Sequence, residues 1–521
     1  MSRGTSSRAG ALSIGGAKVW FLVAGLAQNV VTPLAIGQEG FGTYKRALAF
    51  VNVLNNVVVV ASIQAVSRAI AAEDEAARGP TLRRALGLHA LIGVVLGGLF
   101  FASIPAIVAH QHAPQLAPLL RVLSLVIVIY GVYAAIVGAL NGARAFGRQA
   151  ALDATFSTLR TGLTALLGIS FVRSGIDGGN GALGAATGFL ATALLVLPLS
   201  AALSTFRGSA SSTLDRRAHL SFFLGVAVAQ LFQSILLQAD LVLLGRFATL
   251  DLLARGVGEG AAHAGADRLS GLYGQAQAFG LVPYQLLLSA AYVLFPAIAA
   301  ARARADDRAL AVEIDRGGRA TLLVAGALVA AIAGTPRAVL RFAFGGGGEG
   351  ALPIDTAAPI LRNLTLAHGC TAMAMIGVTL LAAAGRPRLG AFLAAIVAAG
   401  SIAGAWAGGR LFASASGGET QALASLGTAL SLGMLVGLAV GAVVVVLVVA
   451  RALSPYVRLA SALRVALGIG IALAVGALVP VPSMRVLCAL PPLAPLAVYV
   501  AVVAVLGEPI ADVVRGARKK A

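Results

Sequence analysis

The chain has 521 residues, of which 59% are apolar and only 11% are charged. Soluble globular domains carry about a quarter charged residues, so this composition excludes an ordinary soluble domain and predicts an all-α membrane protein with many spans. A net charge of +19 would indicate a nucleic-acid partner in a soluble chain. Here the basic residues are spread over short loops, and we expect no nucleic-acid partner.

Apolar runs between charged breaks predict 14 transmembrane spans, because a helix of about 20 residues crosses a bilayer. The runs of the first half are 13–36, 43–71, 82–110, 116–142, 150–172, 180–206 and 217–249. Those of the second half are 271–300, 318–344, 355–384, 389–412, 421–449, 461–480 and 485–506. The connection over 250–270 is the longest on the predicted outer side, and no connection has the length of a soluble domain.

The beginnings of the two halves resemble each other. An Ala-Gln pair occurs in the first span at Ala27 and in the seventh at Ala229, and a Gly-x-Tyr sequence opens the next span at Gly42 and at Gly271. Transporters often contain internal repeats, which favours two six-helix lobes followed by two extra helices. The predicted divisions are an N-terminal tail (1–12), an N-lobe (13–206), a C-lobe (207–449), two extra spans (450–506) and a basic C-terminal tail (507–521).

Lysine and arginine concentrate on one side of this topology. The predicted inner segments hold 25 of them and the outer loops hold six, namely Lys45, Arg46, Arg173, Arg255, Arg268 and Arg485. Because positive residues stay on the cytoplasmic side of a membrane, we expect both termini in the cytoplasm. The composition, rich in Ala, Gly and Arg, is typical of a GC-rich bacterial genome, so we place the protein in a bacterial inner membrane, facing anionic lipid.

Several classes of enzyme are excluded by missing motifs. None of the four lysines completes a phosphate-binding loop, the two cysteines lie far apart, and no histidine pair has the spacing of a zinc protease. A membrane glycosyltransferase or polymerase would need clustered acidic or arginine residues on the outer side, and the acidic residues there are scattered. We therefore predict no catalytic residue, no metal and no bound cofactor.

Three short motifs resemble the polysaccharide-transporter branch of the multidrug, oligosaccharidyl-lipid and polysaccharide flippase superfamily, which includes the O-antigen and exopolysaccharide flippases. They are Gly40-Phe-Gly-Thr-Tyr44, the N-G-x-x-x-F-G-R run that begins at Asn141, and Asp240-x-x-x-x-Gly-Arg-Phe ahead of Gly271-Leu-Tyr. The resemblance implies two lobes around a cavity that opens alternately inward and outward. It also implies export of an undecaprenyl-diphosphate-linked oligosaccharide for O-antigen, capsule or exopolysaccharide, without covalent chemistry.

Two relatives within that superfamily remain alternatives. The lipid II flippase carries an Arg-Asp pair in its first span and an arginine in its second, whereas the matching positions here hold Gln28 and Asn29, and the stretch 54–56 has no arginine. This departure argues against a peptidoglycan precursor as substrate. A cation-coupled multidrug exporter is the other alternative, and it would need Asp240 or Asp153.

Polar side chains inside spans are the candidate substrate contacts, because a lipid-facing polar group would have no hydrogen-bond partner. A guanidinium can donate two parallel hydrogen bonds to phosphate, so Arg160 and Arg362, one in each predicted lobe, are the first candidates for the diphosphate. Interhelical hydrogen bonding and anchoring at the interface are the structural alternatives. The other candidates are Arg68, Gln28, Asn29, Asn52, Asn56, Gln230, Gln233 and Gln275.

Carboxylates and prolines inside spans indicate coupling and gating. Asp240 and Asp153 are candidate sites for Na⁺ or a proton. Pro33, Pro283 and Pro296 interrupt their helices and are the candidate gating positions, with a static kink as the alternative. We expect a monomer in contact with membrane lipid and its lipid-linked oligosaccharide, and a polysaccharide polymerase and glycosyltransferases are candidate partners.

Overall fold

The computed structural model describes residues 3–204, 206, 211–287, 298, 307–345, 351–412 and 418–508. Within these ranges the chain forms helices and no strand, which confirms the predicted all-α class. It divides into two compact units, residues 1–271 and 272–521. The predicted boundaries of the N-lobe and the C-lobe remain predictions.

Fourteen helices account for most of the described residues. The helices that begin in the first unit are α1 (Arg3–Ala71), α2 (Glu75–Gln111), α3 (Leu116–Gly142), α4 (Phe146–Ser174), α5 (Gly181–Leu203), α6 (Arg216–Ala254) and α7 (Glu259–Gly280). Those of the second unit are α8 (Asp307–Gly334), α9 (Pro336–Phe344), α10 (Ala358–Ala383), α11 (Pro387–Ala407), α12 (Glu419–Ala452), α13 (Leu459–Leu478) and α14 (Leu493–Val505).

Two spans are joined end to end in α1. Twelve described segments are long and apolar enough to cross a membrane, and one of them is the 52-residue stretch Trp20–Ala71. Gly37 interrupts this stretch with φ 76° and ψ 170°, a conformation that glycine adopts most readily. Pro33 lies one turn earlier and removes a further backbone donor. The first two predicted spans therefore correspond to the two halves of α1.

Four basic residues that we assigned to outer loops lie inside helices, and one of them, Arg173, is in the last turn of α4. Lys45 and Arg46 belong to the second half of α1, and Arg268 belongs to α7, which begins at Glu259 and shortens the predicted 250–270 loop to a few residues. The loop prediction was wrong because charged residues were taken as breaks between spans. At Arg46 a buried counter-charge makes the helical position stable.

That counter-charge is Asp267 of α7, and it joins three parts of the first unit. Arg46 Nη1 lies 2.6 Å from Asp267 Oδ1, and the two side chains are 1% and 4% exposed. The other carboxylate oxygen of Asp267 accepts hydrogen bonds from Thr43 Oγ1 at 2.8 Å and Gln115 Nε2 at 3.1 Å. Gly245 of α6 leaves room for the guanidinium, because a Cβ there would overlap Arg46 Nε. We call these residues the Arg46–Asp267 clamp.

The two Gly-x-Tyr sequences form a reciprocal contact next to the clamp. A Cβ on Gly42 would overlap the carbonyl oxygen of Asp267, and a Cβ on Gly271 would overlap the carbonyl oxygen of Gln38. The contact is symmetrical along the two helices: Gln38 comes four residues before Gly42, and Asp267 comes four residues before Gly271. The weak internal repeat in the sequence is, in structure, a place where α1 and α7 approach to backbone contact.

Other small-residue spacings pack helices closely. A Cβ added at each of these glycines would come within 3.3 Å of a neighbouring helix. They are Gly93 and Gly97 of α2, Gly184 and Gly188 of α5, and Gly433, Gly437 and Gly441 of α12.

In the second unit, Glu508 ties the end of α14 to α13. Its carboxylate accepts hydrogen bonds from Ser461 Oγ at 2.6 Å and Arg464 Nη1 at 2.8 Å, and Arg319 of α8 lies 3.8 Å away. Burial acts to raise the pKa of Glu508, but the hydrogen bonds from Ser461 and Arg464 and the charge of Arg319 outweigh it and hold this pKa below its usual 4.5.

We expect Glu508→Gln to destabilise the protein at neutral pH by about 1–3 kcal/mol, the range for hydrogen bonds to a charged group. Because the folded-state pKa is depressed, this stability is present above the unfolded-state pKa and is lost as the pH falls through the folded-state value. Thermal unfolding in detergent at a series of acidic pH values measures this, and the melting temperatures of the variant and the parent should converge at low pH. Glu259→Gln, at an exposed position, is the control, and a difference independent of pH would contradict the interpretation.

We expect Gly42→Ala to lower the stability of the protein by about 1–3 kcal/mol or more, because the new methyl group meets backbone that cannot move aside. The melting temperature of the purified protein measures this. Gly98→Ala, which meets nothing within 4 Å on α2, should be neutral or slightly stabilising. Equal melting temperatures for the two variants would contradict a close contact at Gly42.

Asp267→Asn should cost about 3–5 kcal/mol, because it leaves the Arg46 guanidinium buried without a counter-charge. The double variant Arg46→Met with Asp267→Leu should recover most of that loss, since neither charge remains. Unfolding by denaturant measures the cycle. Asp251→Asn, which breaks the more exposed pair with Arg255, should cost about 1 kcal/mol or less. Additive losses in the double variant would contradict a coupled pair.

Candidate functional site

The Arg46–Asp267 clamp and the contact between Gly42 and Gly271 fix the positions of two neighbouring residues of α1. Tyr44 and Lys45 lie between Gly42 and Arg46 on the second half of α1, so contacts on both sides fix their positions along the helix. Lys45 Nζ donates to Asn29 Oδ1 at 3.4 Å. Asn29 in turn donates from Nδ2 to the Gly25 carbonyl at 2.8 Å, which leaves its amide oxygen toward the ammonium group.

Arg160 of α4 lies beside the same region. Its guanidinium carbon is 4.1 Å from the centre of the Phe189 ring, a cation–π contact. The buried Tyr44 hydroxyl faces Arg160, Thr164 and Gln28 but meets hydrogen-bond geometry with none of them. Arg160 Nε and Thr164 Oγ1 are likewise buried without a hydrogen-bond partner. Because buried polar atoms are nearly always paired, three such atoms at one place indicate a position for water or for the oxygen atoms of a ligand.

The local charge is positive. The Lys45 ammonium interacts electrostatically with the carboxylate of Asp240 and with the guanidinium of Arg160. Asp240, on α6, is 1% exposed, and its Oδ1 accepts a hydrogen bond from the Leu241 backbone at 2.8 Å. Lys45 therefore lies near one carboxylate and one further cation, while Arg46 is paired with Asp267 in the clamp. Such a set of donors fits an anion with several oxygen atoms.

We call this set of side chains the Lys45–Arg160 site, and much of it was predicted from sequence. It consists of Gln28, Asn29, Tyr44, Lys45, Arg160, Thr164 and Asp240. Four of these seven were candidates, whereas Tyr44, Lys45 and Thr164 were missed. The position of Lys45 directly after the Gly-x-Tyr sequence was the available signal. Asp153 lies near Tyr133, about two turns from Arg160 along α4.

Other candidates of the first unit lie elsewhere. Arg68, at the end of α1, places its guanidinium 4.6 Å from the centre of the Phe222 ring. Asn52 and Asn56 are half-buried farther along α1 than Lys45. On α6, Gln230 Nε2 lies 3.5 Å from Ser234 Oγ, and Gln233 lies on the same helix.

The remaining candidates lie in the second unit or outside the described ranges. Arg362 Nε donates to the Ala333 carbonyl at 3.2 Å, joining α10 to α8. Gln275 is 6% exposed on the part of α7 that follows residue 271. Pro283 lies in a short helical stretch over 282–287, just after the chain turns at Leu281. Pro296 lies outside the described residues.

The Lys45–Arg160 site presents hydrogen-bonding groups. Across the ranges that the structure describes, no three histidine, cysteine, aspartate or glutamate side chains come together as metal ligands. The site's donors are an ammonium group, a guanidinium, two hydroxyls and two amides.

Solved structures with the same fold are transporters and flippases. The lipid II flippase MurJ in an inward closed conformation aligns with a TM-score of 0.67 and 16% identity, over 94% of this chain and 98% of that one. A multidrug resistance MATE family transporter of the MOP superfamily aligns in its inward-facing conformation with a TM-score of 0.64 and 17% identity, over 86% and 98%. An outward-facing MATE structure aligns with a TM-score of 0.58 and 15% identity, over 85% and 96%.

The sequence comparisons give the family. No curated protein matches the chain. The family model described as polysaccharide biosynthesis protein matches residues 7–301, which is more than half of the chain and contains the whole Lys45–Arg160 site. This match shows that the chain belongs to the polysaccharide biosynthesis protein family, and its apolar helices and shared fold make it a multi-pass membrane protein.

Proposed function

We propose that the protein is a flippase that moves an undecaprenyl-diphosphate-linked oligosaccharide across the bacterial inner membrane, with both termini in the cytoplasm. The observation that carries the proposal is the Lys45–Arg160 site, where the Lys45 ammonium lies near the Arg160 guanidinium and the Asp240 carboxylate, beside buried polar atoms without a hydrogen-bond partner. Membership of a polysaccharide biosynthesis family supports a glycan-bearing substrate for O-antigen, capsule or exopolysaccharide.

A diphosphate matches the site in both charge and hydrogen bonding. Its oxygen atoms accept hydrogen bonds and carry negative charge, and the site offers the Lys45 ammonium, the Arg160 guanidinium and the hydroxyls of Tyr44 and Thr164. Charge-assisted hydrogen bonds of this kind are about twice as strong as neutral ones. A cationic drug would instead meet an excess of positive charge, and Asp240 already lies beside Lys45.

The proposed mechanism is alternating access without a covalent step. Structures named inward-facing and outward-facing exist for MATE transporters with the same fold. In this chain the break at Gly37 and the proline at Pro33 lie between Asn29 and Lys45, so the two groups that meet at the site lie on opposite sides of a helix break. We propose that bending here, and near Pro283 and Pro296, opens and closes the route.

Several parts of the proposal extend beyond this site. Arg362, Arg68, the asparagines of α1, the glutamines of α6 and Gln275 are proposed further contacts for the headgroup or its sugars. Asp240 and Asp153 are proposed to couple transport to Na⁺ or a proton, and membrane potential can contribute about 2.3 kcal/mol per charge per 100 mV. We propose that the protein acts as a monomer that receives its substrate from glycosyltransferases and delivers it to a polymerase.

Lys45→Ala and Arg160→Ala should each slow translocation of a fluorescent undecaprenyl-diphosphate oligosaccharide in proteoliposomes about tenfold or more. This estimate rests on the loss of a hydrogen bond to a charged group, worth about 1.5–3 kcal/mol. Arg173→Ala, on the exposed end of the same helix as Arg160, is the matched control and should leave the rate unchanged.

The same vesicles distinguish the alternatives. Ethidium efflux that is driven by an ion gradient and abolished by Asp240→Asn, without lipid translocation, would contradict the proposal and identify a drug exporter. Equal translocation of lipid II and of the oligosaccharide lipid would show that the glycan is not selected, which would overturn the assignment to a polysaccharide substrate.

A further inference from the structure

Two buried histidines meet on helices α2 and α6 of the first unit. His89 Nε2 and His219 Nε2 are 2.9 Å apart, and the rings are at 80° with their centres 5.2 Å apart. The two residues are 0% and 6% exposed. His89 also makes an edge contact with Phe223, one turn beyond His219 on α6. The pair is outside the Lys45–Arg160 site, and no part of the proposed function uses it.

Further hydrogen bonds hold the residues just before α6 against the same part of the unit. Glu73 Oε1 accepts from the Thr213 backbone at 3.0 Å and from the hydroxyls of Thr213 and Thr81, both at 2.8 Å. Thr81 Oγ1 lies 2.7 Å from Ser212 Oγ, and Arg84 Nη1 donates to the Ser212 carbonyl at 3.0 Å. The beginning of α6 is therefore fastened to α2 by these contacts and by the histidine pair.

A cavity of about 170 Å³ leads to this place. Arg68, Glu73, Thr213, Asp215, His219 and Phe222 are among the residues that line it. Water in the cavity can therefore reach His219, whereas His89 lies behind it, and His89 Nδ1 is buried without a hydrogen-bond partner. The histidine pair thus has an outer member open to exchange of protons and an inner member shielded from it.

We propose that His89 and His219 form a proton-binding site that releases the start of α6 from α2 when it is protonated. In the neutral pair, one Nε2–H donates to the other Nε2, and each ring carries one proton. A first added proton, taken from water in the cavity, still allows one nitrogen to donate to the other. A second added proton places N–H groups on both facing nitrogens, so the hydrogen bond is lost and two positive rings repel each other.

Charged residues on α1, α2 and α6, and in the connection between α1 and α2, surround the histidine pair. Arg68, at the end of α1, packs its guanidinium on the ring of Phe222. Glu73, in the connection between α1 and α2, accepts hydrogen bonds from Thr81 and Thr213. Arg84 of α2 is bound to the Ser212 carbonyl, and Asp215 caps α6 by accepting from the backbone N–H groups of Arg217 and Ala218. Each of these groups has its own partner, and the two histidines make their hydrogen bond with each other.

Glu73 responds to pH in a different range from a hydrated imidazole. Burial acts to raise its pKa, but the hydrogen bonds from Thr81 and Thr213 outweigh it and hold this pKa below its usual 4.5. A hydrated imidazole has a pKa of about 6.5. Because opening takes up two protons, each unit of pH below that value shifts the equilibrium toward the open state by up to about 100-fold.

Distance measurements between spin labels test the proposal on the full chain in lipid nanodiscs. The labels occupy cysteines that replace the exposed Arg83 of α2 and Arg216 of α6, in a chain whose Cys370 and Cys488 are changed to alanine. Between about pH 8 and about pH 4.5, we expect a second, longer distance population to appear and grow. The measurement does not require any transport substrate, so it can fail or succeed separately from the flippase proposal.

Glutamine variants separate the histidines from other titrating groups. His89→Gln and His219→Gln keep an amide that can hydrogen-bond but cannot take up a proton, so each should abolish the acid-dependent population. His263→Gln, a half-buried histidine on α7, should leave it intact. Glu73→Gln should raise the longer population at every pH and preserve its dependence on acid. In each variant, the distance at pH 8 reports whether the fold is kept.

Three results would overturn the proposal. The parent protein, which needs no change at the histidines, could show no longer population down to about pH 4.5. The glutamine variants could open with acid as the parent does. Micromolar Zn²⁺ could narrow the distance distribution in the parent but not in His89→Gln, without any effect of acid, which would identify a metal site instead of a proton site.

Discussion

The buried pair of Arg46 and Asp267 determines how the first unit is assembled. A guanidinium inside a membrane protein is stable only with a counter-charge. Asp267 supplies the counter-charge from α7 through Arg46 Nη1, while Arg46 Nε and Nη2 have no hydrogen-bond partner, and the second oxygen of Asp267 binds Thr43 and Gln115. One carboxylate thus fixes the relative positions of α1, the start of α3 and α7. The Lys45–Arg160 site depends on this, because Lys45 is the neighbour of Arg46.

The site itself uses charge in the opposite way from the clamp. Arg46 and Asp267 neutralise each other at 2.6 Å and are closed to solvent. Lys45 lies near the carboxylate of Asp240 and the guanidinium of Arg160, beside buried polar atoms that have no hydrogen-bond partner. A balanced pair gives a rigid framework, and the unbalanced group next to it is the proposed site for the diphosphate. Two adjacent residues of one helix, Lys45 and Arg46, therefore have separate tasks.

The sequence predicted the class of fold, the spans and part of the site, and each of these predictions had its own physical reason. Apolar length alone identifies a span, and an arginine ten residues into the predicted span 150–172 must face protein or water, so the sequence identifies Arg160. Lys45 was placed in a loop because a charge near the end of an apolar run has the same pattern whether it is solvated or buried. The difference depends on Asp267, which is more than 200 residues away in sequence.

Contacts between distant helices also explain what else was missed. The spacing of His89 and His219 has no local pattern, and only the packing of α2 on α6 makes them neighbours. The break in α1 was predicted at Pro33, but the backbone conformation that separates the two spans occurs at Gly37. A proline weakens a helix, and the residue that absorbs the change in direction is the next one without a Cβ.

The reciprocal contact between Gly42 and Gly271 limits how α1 and α7 can move. Each glycine lies against a carbonyl group of the other helix, at Asp267 and Gln38. Sliding one helix along the other by about one turn, about 5.4 Å, would bring residues that carry a Cβ to the place of each glycine and create two collisions at once. Axial translation is therefore blocked, whereas a rolling or tilting motion about this point keeps both glycines in place. The contact acts as a pivot.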